Sequence, residues 1–294
     1  MIFVTGGTGF VGNHLVKGLN RSGHRVRILV RNTADALMFH GQQVEAVLGN
    51  VTSPRTLEHA IEGCEAVIHL VGIIQPSPGY SFKSIHVDGT RNVVEAAKKA
   101  EVRHLIYQSA LGTGPKARSN YHRTKYEAEQ IVKKSGLDYT ITRPSIIYGR
   151  GDGFTTRMVE LIQSYSPVVP VIGSGKGLYQ PVYIDDLVSL IVKSLTNSEY
   201  YGKTLSVCGP ERLSLDEFID AIMATLRVDK PKLHIPTLMM RPVAAALQLA
   251  MKRPPVTNDQ ITMLLEDNIC DQDDLKSAGI APIRPAAGLK KFLI

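Results

Sequence analysis

Short apolar runs alternate with helix-length amphipathic segments through the first half of this chain, and this alternation restricts the fold more than any other feature. "MIFVTG" leads into "GNHLVKGLNRSG" and then "RVRILVRN"; "VEAVLGN", "SPRTLEHAIEG", "CEAVIHLVG", "VDGTRNVVEAAKKA", "VRHLIYQSA", "NYHRTKYEAEQIVKKSG" and "DYTITRPSIIYG" follow. Strand-length runs rich in Val and Ile, separated by helices, imply a parallel sheet with helices on both faces, a doubly wound α/β domain. After Gly149 the rhythm is interrupted by the turn-rich "GRGDGF" and "GSGKGLYQPVY", and beyond about residue 210 the chain turns helical with Pro-rich connections. The expected organisation is a dinucleotide-binding domain over 1–150, completed by about 178–200. A smaller, mostly helical C-terminal lobe takes 151–177 and 201–294.

"VTGGTGFVGNHLVKGL" sets Gly6, Gly9 and Gly12 directly between the first strand and the first helix. Glycines there let the backbone approach a pyrophosphate, and the helix N-terminus offers free N–H groups and a favourable dipole. Thr8, Phe10 and Val11 belong to the same turn. The second strand ends at Arg31, where dinucleotide sites place the residue that reads the adenosine ribose. A carboxylate there would select NAD; a permanently charged guanidinium suits a 2′-phosphate, so NADP(H) is favoured over NAD(H), with Asn32 and Arg27 as helpers. Asn50 and Val51, after the third strand, are placed near the adenine, and Leu70, Val71 and Gly72, after the fourth, beneath the cofactor.

The fifth strand ends at Ser109, and Tyr121 and Lys125 follow one helical turn apart. A phenol is a poor base at neutral pH, and a nearby ammonium favours its ionised form. Tyr121 is therefore the candidate proton donor or acceptor, Lys125 its activator and ribose ligand, and Ser109 or Thr113 the hydroxyl that polarises a substrate carbonyl.

These residues resemble the short-chain dehydrogenase/reductase superfamily in its extended and atypical branches, through "TGGTGFVG", "YHRTK", "HVDGTRNVVEAA", "TITRPSIIYGRGD" and "QPVYIDDL". "GKTLSVCGPERLSLDEF" and "PPVTNDQITMLLEDNI" look most like the branch holding a nucleotide-binding accessory subunit of respiratory complex I and its bacterial relatives. The resemblance implies a Rossmann-type fold, catalysis by Tyr121 and Lys125 with Ser109, and cofactor contacts from Pro144, Ser145 and Ile146. His86 stands where the family often has Asn, and "SA" (Ser109, Ala110) where it often has two serines. A substrate pocket is expected between residues 73–82, 147–154 and the segment around Tyr179 and Gln180. The function implied is an NADP(H)-dependent oxidoreductase or epimerase-like enzyme; the alternative is a non-catalytic NADPH-binding module, associated with a respiratory or membrane complex.

The net charge of +7 comes from 34 Lys and Arg against 27 Asp and Glu, dispersed without a basic run, which suits an anionic cofactor and argues against nucleic acid. Cys64, Cys208 and Cys270 are widely spaced and odd in number, so no disulfide framework and a reducing, cytoplasmic compartment are expected. Cys64 and Cys208 read as small core residues. The start "MIFVTGG" leaves no room for a cleaved signal peptide. The nine His show no metal-binding pair, and no metal is expected. Residues 235–255, "IPTLMMRPVAAALQLAMKRPP", are read first as a helix packed on the C-terminal lobe, with a helix lying on a membrane surface as the alternative.

Overall fold

Residues along each strand of the main sheet alternate between two separate cores, as their apolar composition requires of a sheet covered on both sides. The computed structural model describes residues 1–40 and 42–294. The first half runs β1 (Ile2–Thr5), α1 (Phe10–Arg21), β2 (Val26–Val30), α2 (Thr33–Ala36), β3 (Val44–Leu48), α3 (Pro54–Ile61), β4 (Ala66–His69), α4 (Gly89–Lys99), β5 (His104–Gln108), α5 (Asn120–Lys133) and β6 (Asp138–Pro144). The remainder comprises β7 (Ile147–Tyr148), α6 (Gly153–Gln163), β8 (Val169–Ile172), β9 (Leu178–Tyr179), β10 (Val182–Tyr183), α7 (Ile184–Thr196), β11 (Lys203–Val207), β12 (Leu213–Ser214), α8 (Leu215–Leu226), β13 (Lys232–Ile235), α9 (Thr237–Ala250), α10 (Asn258–Leu264), α11 (Asp274–Ser277) and α12 (Pro285–Leu293).

Among the described residues the main sheet has seven strands in the order β11-β6-β5-β4-β1-β2-β3, and every pair is parallel. The order reverses at β1, so the crevice at the strand C-termini opens beside the glycine turn. Ile2, Val4, Ile28 and Ile68 pack with Leu15 and Val16 of α1 and Leu187 and Ile191 of α7. Phe3, Leu29, Val67 and Leu105 face the other way, onto Leu57 of α3, Val93 of α4 and Ala128 and Val132 of α5. β11 corrects the expected boundary: Lys203–Val207 pairs with β6 over its full length, so the sheet draws on residues assigned from the sequence to the smaller lobe.

The cysteine expectation is corrected too. Cys208 and Cys270 form a disulfide that ties the end of β11 to the segment following α10, while Cys64 is free and buried. Sixty-two residues separate the pair, a distance over which spacing carries no signal.

Glu129 of α5 has no solvent exposure and receives both Nε and Nη2 of Arg143 on β6, at 2.8 and 2.5 Å. Removing one member of a buried pair strands the other charge. Arg143 retains a quarter of its exposure, so Glu129→Ala should cost about 3 kcal/mol, at the low end of such cases. Urea denaturation monitored by circular dichroism checks this.

Candidate active site

The glycine turn is built by close approach. Gly6 has φ +76°, open to glycine with little strain, and a Cβ at Gly12 would lie only 2.1 Å from the Gly6 carbonyl oxygen. Helix α1 can therefore begin hard against the end of β1. Gly9 is its N-cap without a side-chain cap, and the first turn contains no acidic residue. The N–H groups of Phe10, Val11 and Gly12 have no intrahelical acceptor by helix geometry and face an unopposed positive dipole end. That arrangement fits a diphosphate.

Arg31 is exposed at the end of β2. Its expected helpers are engaged elsewhere: the Asn32 side chain caps α2 through the Asp35 amide (2.9 Å), and Arg27 donates to the carbonyls of Ala60 and Glu62. Asn50 is likewise occupied, its amide donating to the Tyr80 hydroxyl and its oxygen accepting from Thr52 N–H. Val51 is a buried core residue whose carbonyl receives Asn92. Leu70 and Val71 are half-buried and Gly72 is exposed at the end of β4; a Cβ on Gly72 would stand 3.2 Å from Lys125 Nζ and 3.5 Å from His86 Nε2.

Tyr121, Lys125 and Glu129 form a column on one face of α5, four residues apart at each step. The Lys125 ammonium is buried, donates to the Gln108 carbonyl at 2.8 Å and lies 4.9 Å from the centre of the Tyr107 ring. Burial pushes its pKa down to about 7, against the raising effect of Glu129. The Tyr121 phenol is pushed up to about 12 by burial alone. Burial thus outweighs the downward pull expected of Lys125 on the phenol, and the ammonium is turned toward the strand backbone. Ser109 and Thr113 are both buried with their hydroxyls 3.4 Å apart, so both alternatives lie on the same wall.

His86 takes up the place of the common Asn with a relay of its own. Its Nε2 accepts from Ile73 N–H at 3.0 Å, which puts the proton on Nδ1, donating to Thr124 Oγ1 at 2.8 Å. Burial, then the positive charge of Lys125, lower its pKa to about 2, consistent with that neutral tautomer. It sits in a π-helical segment, Lys83–Asp88, that runs into α4, with its ring 5.4 Å from Tyr121. The imidazole therefore pins the loop after β4 to α5 beneath the phenol.

The sequence reading did not anticipate the contribution of residues 257–270. Asp259 accepts from the backbone N–H of Asn120 (2.7 Å) and Tyr121 (3.1 Å), capping the N-terminus of α5 together with Ser119. Glu266 lies 3.5 Å from His122 Nδ1. Asn268 accepts from Ser145 Oγ (2.6 Å) and Ile146 N–H (3.1 Å), so the Ser145 hydroxyl, expected to meet cofactor, serves this contact; Pro144, the residue before it, is buried. Tyr179 and Gln180, expected around the substrate, are buried structural groups. The Tyr179 hydroxyl donates to Leu264, and the Gln180 amide bridges Gly209 and Cys270. Glu129 was detectable as the next four-residue step after Lys125; Asp259 and Asn268 lie more than a hundred residues from their partners and leave no local signal.

The buried ammonium gives the site a pH signature. A Lys whose pKa falls from 10.5 in the open chain to about 7 destabilises the fold fully below pH 7, and the penalty fades as pH rises toward 10.5. Lys125→Met should accordingly stabilise the protein more at pH 6 than at pH 10, measured by urea unfolding at both.

Residues 6–165 match the family described as NAD(P)H-binding. The chain is 33% identical over 192 residues to ceramide reductase of Caulobacter vibrioides, a match covering 65% of this chain and 60% of that protein. It is 24% identical over 288 residues to the mitochondrial 40 kDa subunit of NADH-ubiquinone oxidoreductase from Neurospora crassa, covering 95% and 75%. The solved dTDP-glucose 4,6-dehydratase of Bacillus anthracis, in complex with NAD, superposes with a TM-score of 0.78 at 18% identity over 99% of this chain and 94% of that one, a likeness of fold. The match begins in the glycine turn at Gly6 and runs past the Tyr121–Lys125 helix, over more than half of the sequence, and the chain belongs to the NAD(P)H-binding family.

Proposed function

We propose that the protein is an NADP(H)-dependent oxidoreductase that reduces a carbonyl group, with Tyr121 delivering the proton. The observation that carries this reading is the placement of Tyr121 and the buried Lys125 one turn apart on one face of α5, where burial raises the phenol's pKa and lowers the ammonium's. When bound, the nicotinamide supplies or accepts the hydride. The chain's own residues hold the diphosphate at the N-terminus of α1, accept a 2′-phosphate at Arg31, and orient the carbonyl through Ser109 or Thr113. Lys125, one turn along the same helix face, would stabilise the phenolate left when Tyr121 gives up its proton, and would be the side chain to hold a ribose hydroxyl of the cofactor. Residues 151–177 and the segments after β11 supply the substrate lobe.

The relatives support this class: one is by name a reductase. A second reading, a module that binds NADPH without turnover, is favoured by the engagement of Lys125 with the strand backbone and by the likeness to a subunit of NADH-ubiquinone oxidoreductase.

Two measurements test these readings. NADPH should raise the melting temperature more than NADH at equal concentration, and Arg31→Ser should weaken NADPH about 10- to 100-fold, the worth of charge-assisted hydrogen bonds, while leaving NADH nearly unchanged. A stronger response to NADH would remove Arg31 from the argument. Tyr121→Phe should retain NADPH binding and lower NADPH oxidation by aldehyde and ketone probes by about 10²- to 10⁴-fold. Wild-type protein that binds NADPH and oxidises it with no member of a broad carbonyl panel would favour the non-catalytic module.

A further inference from the structure

Helix α9 presents an apolar face that the fold does not cover. Of its described residues, Ala244 is the buried one. Leu238 is 83% exposed, Met239 66%, Val243 47% and Leu249 92%, and Met251, which follows the helix, is exposed as well. At about 100° per residue, the exposed positions Leu238, Met239, Pro242, Val243 and Leu249 fall with three alanines on one arc of roughly 160°, with no polar side chain inside it. Residues 235–255 do pack on the lobe, through contact of α9 with α10, but the apolar arc is left outside that contact. Met240, Ala244 and Leu247 face inward, and two polar contacts flank them: Arg241 donates to Thr262, and Gln248 accepts from Asn258 N–H.

Charge identifies what covers the arc. Residues 230–258 contain no Asp or Glu, while Arg241 borders the arc and Lys252 and Arg253 follow α9 directly, all three exposed. A second copy docking through the same face would bring these cations together with no carboxylate from the segment to answer them. A bilayer of anionic phospholipid answers both features, receiving the side chains at the headgroup boundary and the cations at phosphate. Among the described residues no helix is long and apolar enough to cross a membrane, and the geometry of α9 is that of a helix lying in the interface plane.

We propose that α9 is a bilayer-docking helix that seats the protein on anionic phospholipid. Asp259 of α10, packed on α9, holds the N-terminus of α5, so α10 links the docking helix to the Tyr121 end of the crevice.

The chain contains no tryptophan, which allows an unambiguous reporter. In Leu249→Trp protein, vesicles of phosphatidylcholine with phosphatidylglycerol should shift the emission to the blue, phosphatidylcholine alone much less, and 0.5 M salt should diminish the effect. Sedimentation of the otherwise unaltered chain with the mixed vesicles should fall about five-fold in partition coefficient for each of Lys252→Ser and Arg253→Ser, and at least ten-fold for Leu238→Ser/Leu249→Ser. Both leucines are exposed, so that variant should melt with the wild type, and its NADPH binding, measured without vesicles, keeps this proposal separate from the cofactor reading. Absence of a blue shift, vesicle binding that survives the double substitution, or a dimer detected by light scattering and lost in that variant would each overturn the proposal. The last result would assign the face to a second copy.

Discussion

The orientation of α5 depends on one buried ion pair. Glu129 meets the guanidinium of Arg143 near the C-terminal end of the adjoining strand β6, and this fixes how α5 is rotated about its axis. Because side chains four apart share a helix face, fixing Glu129 also fixes Lys125 and Tyr121. The charge of the same carboxylate acts on the buried ammonium, partly opposing the fall in its pKa. A group that reads as structural is thus also electrostatic support for the candidate chemistry. An uncharged packing contact in its place would leave Lys125 with less reason to hold its proton.

The second determinant is reach across the chain. Residues 257–270 run past the crevice and touch its parts in succession: Asp259 at the N-terminus of α5, Glu266 near His122, Asn268 on Ser145 and Ile146, and Cys270 on Cys208. Backbone donors at a helix start need partners, and Asp259 supplies one from the far end of the chain rather than from the preceding loop. The C-terminal segment and the sheet-packed helix α5 therefore share hydrogen bonds at the place where proton transfer is proposed. The disulfide fastens the end of this strap to the end of β11.

Much of the fold was legible because its signals are local. Strand-length Val and Ile runs set apart by helices specified the parallel sheet, the glycines at 6, 9 and 12 marked the turn, and the four-residue step joined Tyr121 to Lys125. What spacing left hidden is tertiary partnership. Asn50, Ser145, Tyr179 and Gln180 carry side chains suited to a ligand, yet each is engaged by a protein partner that sequence spacing does not reveal. Lys125 was placed on the correct face, but the direction of its ammonium depends on the strand backbone beneath it.

By itself, then, the sequence determined periodicity: which segments are strands and helices, where the backbone can crowd a phosphate, and which side chains share a face of α5. Tertiary structure alone decided partnership: Asp259 with Tyr121, Cys208 with Cys270, Lys125 with the Gln108 carbonyl, and the exposure of α9. The physical reason is range. Helix and strand geometry repeat over a few residues and are written into neighbours, whereas hydrogen bonds, burial and pKa depend on what the fold brings together from distant parts of the chain.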